Sequence, residues 1–206
     1  MMKFRVLCLI SSLILASCFA RSQDYPSQAS VFHPNQVVQI NNLPLRAAQS
    51  TSSSATLIAA LDIVFHHPDV CCGKGSTLED VTLSADSLSL KELGNKLQGK
   101  RRLRNGRPIM VTAEYLSPSS IGAEQLIAPL TNNQPFLMEW NSHLYVVYGA
   151  VFDETVYSSG LRDYVIHKLL LFDPRLSTTP NETTFSRQKD DWTKVQGLLL
   201  LKALLQ

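Results

Sequence analysis

The 206-residue sequence lacks the cysteines that a disulfide-stapled scaffold requires. Of its four cysteines, Cys8 lies in an N-terminal leader and Cys18 at its end, and the other two, Cys71 and Cys72, are adjacent in the chain. A framework of crosslinks between distant segments is therefore excluded. No internal repeat is visible, and no apolar stretch of membrane length follows the leader, so the sequence predicts one domain with its own core.

The chain that follows the leader also lacks an excess of either charge. Lys3 and Arg5 account for two of the 19 lysines and arginines, so the 17 that remain balance the 17 aspartates and glutamates. Non-specific nucleic-acid binding depends on attraction between basic side chains and phosphates. Because a neutral chain does not supply this attraction, nucleic acid is not an expected partner.

The leader has the pattern of an export signal. A basic start precedes an apolar stretch, residues 6–15, that is too short to span a bilayer. Residues 15–18 read Leu-Ala-Ser-Cys and resemble the lipobox of bacterial lipoproteins, which predicts a signal peptide over residues 1–17 and a lipid anchor on Cys18 in the cell envelope. Residues 18–20 loosely fit an ordinary signal peptidase site, and cleavage there would give a secreted or periplasmic soluble protein.

The exported chain predicts a tether followed by a domain that opens with a helix. Residues 18–49 are rich in Gln, Asn, Pro and Ser and predict the tether, although the alternating stretch at residues 37–40 favours an edge strand. Residues 50–206 then form the domain. Serines 52–54 predict an N-cap for a helix over residues 55–65, which is apolar nearly all round and is expected to be a buried central helix.

The rest of the domain changes from a helical to a strand pattern. The sequence predicts helices over residues 76–83, 89–97 and 123–130, and strands over residues 108–115, 135–140, 143–152, 164–172 and 195–205. The last of these runs is compatible with a helix, but it favours a strand. The basic run at residues 100–104 predicts a solvated turn. The order of elements predicts an α+β fold, with the N-terminal helix packed on a mainly antiparallel sheet.

Three stretches of the second half resemble papain-like peptidases of the bacterial peptide-processing type. They are residues 106–111, 135–149 and 171–174. In that family a strand ends in a tryptophan or polar turn, a histidine opens the next strand, and a later strand ends in Asp-Pro. The resemblance implies a papain-like fold, a peptide or envelope component as partner, His143 as general base and Asp173 as the residue that orients it.

Elementary chemistry is compatible with these two roles. The pleat of a strand fixes the direction of a histidine at its start, and a carboxylate on the adjacent strand can hold the imidazole in one tautomer. The alternative interpretation is structural. In that case His143 bonds to a backbone carbonyl at a strand end, and Asp173 simply belongs to a turn.

The nucleophile has two assignments. Papain-like enzymes place a cysteine at the start of the central helix, where the helix N-terminus stabilises the thiolate and a nearby glutamine helps to bind the oxyanion. Residues 52–54 are serines here, with Gln49 upstream, and this alignment implies an inactive relative that binds without cleaving. In the other alignment, Cys72-Gly73 and the helix at residues 89–93 resemble the bacteriocin-processing branch. That alignment predicts a thiol hydrolase of peptidase or amidase type with Cys72, His143 and Asp173 as its catalytic residues.

The segment around the paired cysteines supports a third hypothesis. Residues 66–72 read His-His-Pro-Asp-Val-Cys-Cys and bring together ligands that suit zinc or copper. Adjacent cysteines do not easily point at one ion, and the spacing matches no established finger, so no cofactor is predicted. Cys71 and Cys72 can also form a strained disulfide, which would oppose a nucleophilic role for Cys72. The sequence leaves open a thiol hydrolase, an inactive binding lipoprotein and a metal-binding lipoprotein.

Overall fold

The computed structural model describes residues 30–48, 52–65, 89–103, 106–176, 183–184 and 191–205. These residues form three α-helices and eight strands, and the strands join in one antiparallel sheet, which confirms the predicted α+β class. In chain order the elements are β1 (Ser30–Gln39), α1 (Ser53–Val64), α2 (Leu90–Leu97), β2 (Gly99–Arg102), β3 (Pro108–Leu116), α3 (Ala123–Thr131), β4 (Phe136–Trp140), β5 (His143–Tyr157), β6 (Arg162–Phe172), β7 (Thr183–Thr184) and β8 (Val195–Leu205). Short 3₁₀ turns occur at Pro118–Ser120 and Asp191–Lys194.

The strand order across the sheet is β2-β3-β8-β4-β5-β6-β7. The C-terminal strand β8 lies in the interior of this order, where Leu199 pairs with Tyr115 of β3 on one side and with Leu137 of β4 on the other. One edge of β5 pairs with β6, while the other pairs first with β4 and then with β1. The prediction of a strand rather than a helix at the C-terminus is confirmed.

Side chains that alternate along the strands form two hydrophobic clusters, one on each face of the sheet. The α1/α2 cluster joins helices α1 and α2 to one face and includes Leu57, Leu61, Leu93, Leu137, Val146, Tyr148 and Leu199. The α3 cluster joins helix α3 to the other face and includes Leu126, Leu130, Phe136, Met138, Val147 and Leu198. The sheet is thus the middle layer of three.

The helices that the sequence predicts at residues 55–65 and 89–97 are confirmed. The Ser52 Oγ accepts a hydrogen bond from the Ala55 N–H at 3.3 Å and caps α1, as the run of serines indicates. At α2 the Ser89 Oγ accepts from the Glu92 N–H, while a Glu92 carboxylate oxygen accepts from the Ser89 N–H at 3.0 Å. This reciprocal capping box fixes the start of a helix that buries its leucine face.

Strand β5 changes faces at a bulge. Its register with β6 shifts between Val147 and Gly149, so Tyr148 belongs to the α1/α2 cluster whereas Ala150 belongs to the α3 cluster. Strand β1 comes very close at this point. A Cβ placed on Gly149 would lie 2.7 Å from the Val38 carbonyl oxygen, so only glycine fits there without displacement.

Strands β1 and β2 lie where the sequence predicts a tether and a turn, and the two-residue strand β7 is not predicted. Strand β1 starts at Ser30, so the sheet begins inside the predicted tether, and β1 contains most of the predicted edge strand at residues 37–40. Strand β2 occupies the basic run that predicts a solvated turn, and that prediction is wrong. Its backbone pairs with β3, while Arg101 turns back and donates to the carbonyl oxygens of Lys96 and Gln98.

Some predictions concern residues outside the described part of the chain. They include the signal peptide, Cys18 and the helix predicted at residues 76–83. Among the described residues, no helix is long and apolar enough to cross a membrane.

Candidate functional site

The candidate site lies at the end of the sheet where strands β4 and β6 end and strand β5 begins. Trp140 is the last residue of β4, His143 is the first of β5, and Asp173 directly follows β6. The positions of these three residues relative to the strands therefore match the prediction. Because neighbouring antiparallel strands begin and end at the same edge, the three residues come together at one corner of the sheet.

The turn between β4 and β5 holds the histidine in place. Asn141 and Ser142 have φ values of 51° and 61°, and positive φ at both central positions is typical of the tight I′ hairpin turn. The Asn141 N–H donates to the Lys194 carbonyl oxygen at 3.0 Å, and the Ser142 N–H donates to the Gln196 side-chain oxygen at 2.9 Å. The hairpin tip is thereby tied to the start of β8, which restricts the direction in which His143 leaves the sheet.

His143, Tyr145 and Asp173 lie on the same face of the sheet. Leu144 packs against the α1/α2 cluster while Tyr145 belongs to the α3 cluster, so alternation places His143 on the side of Tyr145. The pairing of Val146 with Phe172 brings Asp173 opposite Tyr145. His143 is exposed, whereas Asp173 is only 2 % exposed.

An arginine that the sequence analysis did not single out holds the buried carboxylate. Oδ1 of Asp173 accepts hydrogen bonds from the Arg175 backbone N–H and Nε, both at 2.9 Å. Oδ2 accepts from the same Nε at 3.2 Å and from the Nη2 group. Among the described residues, no hydrogen bond joins Asp173 to the imidazole of His143. Arg175 thus donates to both carboxylate oxygens of Asp173, and His143 donates to neither.

The electrostatics of the corner follow from this pair. Burial alone would raise the pKa of Asp173, but the hydrogen bonds and charge of Arg175, with a smaller contribution from His143, lower it below its usual value. Burial also raises the pKa of Tyr145, and the charge of Asp173 raises it further, while Arg175 opposes both effects. The carboxylate is thus ionised and the phenol protonated at neutral pH.

A tryptophan completes the surface of the corner. Trp140 pairs with His143 across the hairpin, and its ring lies 5.5 Å from that of Tyr145 at an interplanar angle of 50°. We call Trp140, His143, Tyr145, Asp173 and Arg175 the His143 corner. It combines an exposed imidazole, two aromatic rings and a neutralised ion pair.

The start of the central helix α1 is held near the His143 corner. The Ala48 N–H donates to the Pro174 carbonyl oxygen at 2.7 Å, so the chain just before α1 is fixed beside the residue after Asp173. Ser52, the N-cap, is four residues further on and is therefore within about 14 Å of Ala48. However, α1 packs on the face opposite His143, so a group at its N-terminus meets the imidazole only around the end of the strands.

The remaining predicted site residues lie outside the described part of the chain. These are Cys72 and Cys71, the upstream Gln49, and the ligands of the metal hypothesis at residues 66–72. Within the described ranges, no group of three His, Cys, Asp or Glu side chains could hold a metal ion. The structure therefore brings together His143 and Asp173 of the predicted triad, and the position of Cys72 stays a prediction.

Two residues of the corner escaped sequence reasoning, although each left a signal. Arg175 follows Asp173 by two residues across a proline, a spacing at which a turn can fold the guanidinium back onto the carboxylate. Tyr145 follows His143 by two residues in a strand, and this spacing puts both side chains on one face. Neither signal names a partner, because the sequence does not reveal which strand neighbours β5.

Comparison with known proteins assigns no family to this chain. No family model matches the sequence, and neither a curated protein nor a solved structure matches it. A functional conclusion therefore has to be drawn from the geometry of the His143 corner.

Proposed function

We propose that this chain is an exported papain-like domain of the cell envelope that binds a peptide or another envelope component at the His143 corner without cleaving it. The observation that supports this proposal is the engagement of both Asp173 oxygens by Arg175. In a catalytic triad the carboxylate holds the imidazole in the correct tautomer and stabilises its charged form. Since Arg175 occupies this carboxylate, His143 lacks that support and is available to a ligand.

The surface chemistry of the corner suits a peptide. The half-buried Trp140 ring, supported from below by the buried Tyr145 ring, supplies flat apolar area, and the exposed imidazole beside it can donate to or accept from a peptide group. Arg175 is partly exposed and donates to both oxygens of Asp173, so the polar part of the surface is fixed before a ligand arrives. A surface that is ordered in advance loses less entropy on binding.

A cell-envelope thiol hydrolase is the second candidate, and a specific observation favours it. His143 and Asp173 share one face of neighbouring strands, and the charge of His143 contributes to the lowered pKa of Asp173. In this reading the Cys72 sulfur attacks an acyl carbon, its proton passes to His143 and then to the leaving amine, and water releases the acid. Cys72 would have to reach the corner from the far end of α1, because that helix is about 18 Å long.

The location is part of the same proposal. Export with a lipid on Cys18 would hold the domain at the membrane surface, with residues 19–29 between the anchor and β1. The mass of the mature N-terminal peptide tests this directly. A diacylated cysteine at the first position is expected, and an unmodified N-terminus further along the chain would contradict it.

Binding and cleavage are separated by one experiment on the purified exported protein. Fluorescein-labelled peptides that differ in charge are titrated with protein while fluorescence polarisation is recorded, and the mass of each peptide is measured afterwards. We expect saturable binding of unchanged peptide, with His143→Ala weakening affinity at least tenfold, about 1.4 kcal/mol. The matched control is His33→Ala, which removes an exposed histidine from β1, remote in sequence from the corner, and leaves affinity unchanged.

The other outcomes discriminate between the candidates. Cleaved peptide that disappears in both Cys72→Ser and His143→Ala would replace the binding proposal with the hydrolase. Equal affinity of His143→Ala and wild type would remove the corner as the site. Failure of every peptide to bind would overturn a peptide-binding function.

A further inference from the structure

Strand β1 presents an edge that lacks a neighbour among the described strands. Its inner edge pairs with β5 from Ser30 to His33 and again from Gln36 to Gln39, with a bulge at residues 34 and 35, whereas no described strand pairs with its outer edge. Nine of its ten residues are exposed, including three large apolar side chains, Val31 and Phe32 at 58 % each and Val37 at 64 %. On either side of the bulge, the unpaired backbone groups of such an exposed edge are a template for pairing with another strand.

The hydrogen bonds of β1 show which of its backbone groups point outward. The Ile40 N–H donates to the Tyr148 carbonyl oxygen, so residue 40 points toward β5 and, by alternation, so do Val38 and Gln36. Val37 and Gln39 therefore direct their N–H and C=O groups outward. On the other side of the bulge, His33 pairs with Glu154, which lies two residues from the Gln36 partner on β5. His33 accordingly points inward, and Phe32 and Ser30 point outward.

This pattern of outward groups is self-complementary. If a second copy of β1 lies antiparallel, with the dyad between Pro34 and Asn35, then Phe32 faces Val37 of the second copy and Ser30 faces its Gln39. These are the residues whose backbone groups point outward, so each pair can exchange two hydrogen bonds. Val31 comes opposite the Val38 of the second copy, and the bulge residues Pro34 and Asn35 of the two copies face each other at the dyad.

Side-chain orientation and charge also agree with this register. Val38 packs against the α3 cluster, so Val37 lies on the opposite face, and the register with β5 puts Phe32 on that same face. The dyad therefore places Phe32 and Val37 of the two copies side by side. Because β1 contains no Asp, Glu, Lys or Arg, the pairing brings no like charges together.

We propose that β1 binds β1 of a second copy of this chain, antiparallel about a two-fold axis at residues 34 and 35, and joins the two sheets into one. A contact limited to two ten-residue strands buries less than the roughly 1,600 Å² of a standard stable interface. The dimer is accordingly concentration-dependent. This proposal rests on β1 alone and is independent of any activity at the His143 corner.

Charge substitutions at the facing pair test both the dimer and its register. Phe32→Lys/Val37→Lys places lysines opposite each other in both pairs, whereas Phe32→Glu/Val37→Lys places a glutamate opposite a lysine in both pairs. The two double variants remove the same apolar surface and differ only in charge. We expect the weight-average mass in sedimentation equilibrium to rise toward the dimer with concentration for wild type and for Phe32→Glu/Val37→Lys, but not for Phe32→Lys/Val37→Lys.

The remaining results would overturn the proposal. A wild-type protein that stays monomeric up to its solubility limit excludes the dimer. A dimer that persists in the double-lysine variant, or is lost equally in both variants, excludes this register. Far-UV circular dichroism of each variant shows that the fold is retained, and Leu161→Lys/Val165→Lys, which adds the same charge at two exposed positions outside β1, serves as a second control.

Discussion

At the scale of the residue, the ion pair of Asp173 and Arg175 illustrates how a buried charge is tolerated. The Asp173 side chain is 3 % exposed and that of Arg175 is 30 % exposed. An unpaired carboxylate in such a position would lose much of its hydration without compensation. Arg175 supplies both the opposite charge and the donors that the carboxylate oxygens need, and the polypeptide between them is a single proline.

Arg175→Met is therefore expected to destabilise the fold in a pH-dependent way. At pH 7 the variant leaves a buried carboxylate without its partner, at a cost of about 2 kcal/mol in the free energy of unfolding. Burial would then raise the pKa of Asp173, so the stability of the variant falls as the pH rises from about 4 to 7. Urea unfolding across this range measures the effect, and Arg175→Met/Asp173→Asn is the control that recovers most of the loss.

The wild-type protein has the opposite dependence at this residue. Because the folded pKa of Asp173 is lowered, its ion pair stabilises the fold fully above the unfolded value of about 3.9 and is lost as the pH falls through the folded pKa. Between pH 4 and 7 this pair therefore adds no slope to the wild-type stability. Parallel slopes for wild type and Arg175→Met would show that Asp173 does not depend on Arg175.

The single residues of the site could be predicted only in part. His143 and Asp173 are visible in the sequence because each stands at the end of a strand pattern, and strand ends are where polar side chains converge. Arg175, the partner of Asp173, could not be predicted, because an aspartate at the end of a strand is equally compatible with a catalytic triad and with an ion pair. What separates them is the direction of one arginine side chain, which no periodicity encodes.

At the scale of the element, the bulge in β5 accounts for the length of the strand and for the position of β1. The sequence predicts a strand ending at residue 152, whereas β5 continues to Tyr157. At the bulge the alternation of side chains changes by one residue. Tyr148 therefore faces the α1/α2 cluster, whereas Ala150 and Phe152 face the α3 cluster. Beyond that point β1 and β6 form a three-stranded extension with β5.

Gly149→Ala is expected to loosen β1 from β5. The new Cβ would meet the Val38 carbonyl oxygen at 2.7 Å and the Leu170 side chain at 2.8 Å, and relieving both contacts requires a backbone shift that costs about 1–3 kcal/mol. Thermal or urea unfolding measures the loss, and faster amide exchange in β1 locates it. Gln39→Ala, on the exposed partner of Gly149, is the control and should change stability by about 0.5 kcal/mol or less.

The elements themselves were easier to predict where the sequence contains local signals. α2 has a capping box and a leucine stripe, and both are local, so its bounds follow from the sequence. β1 and β2 contain polar or basic residues and are held by backbone pairing, β1 with β5, which is distant in sequence, and β2 with β3, the next strand. Backbone pairing of this kind is independent of side-chain type, which is why the tether and the basic turn were predicted in their place.

At the scale of the whole molecule, one sheet is shared by two hydrophobic clusters. Adjacent residues of β4 point to opposite faces, with Phe136 in the α3 cluster and Leu137 in the α1/α2 cluster, both fully buried. β8 lies between β3 and β4, so the C-terminus of the chain must be in place before the middle of the sheet is complete. If either cluster is lost, one face of the sheet is exposed to water, and the strands that support the other cluster are destabilised.

Phe136→Ala and Leu137→Ala are thus expected to behave alike although they empty different clusters. Each deletes a fully buried side chain and should lower the free energy of unfolding by about 3 kcal/mol, and each variant should still unfold in one transition. The measurement is urea unfolding followed by far-UV circular dichroism and by tryptophan fluorescence, whose curves should coincide. Leu161→Ala, at a 64 % exposed position, is the control and should change stability by about 0.5 kcal/mol or less. A single transition is expected because both clusters pack on the same strands. Separate transitions in either core variant would mean that the two faces of the sheet are stabilised independently.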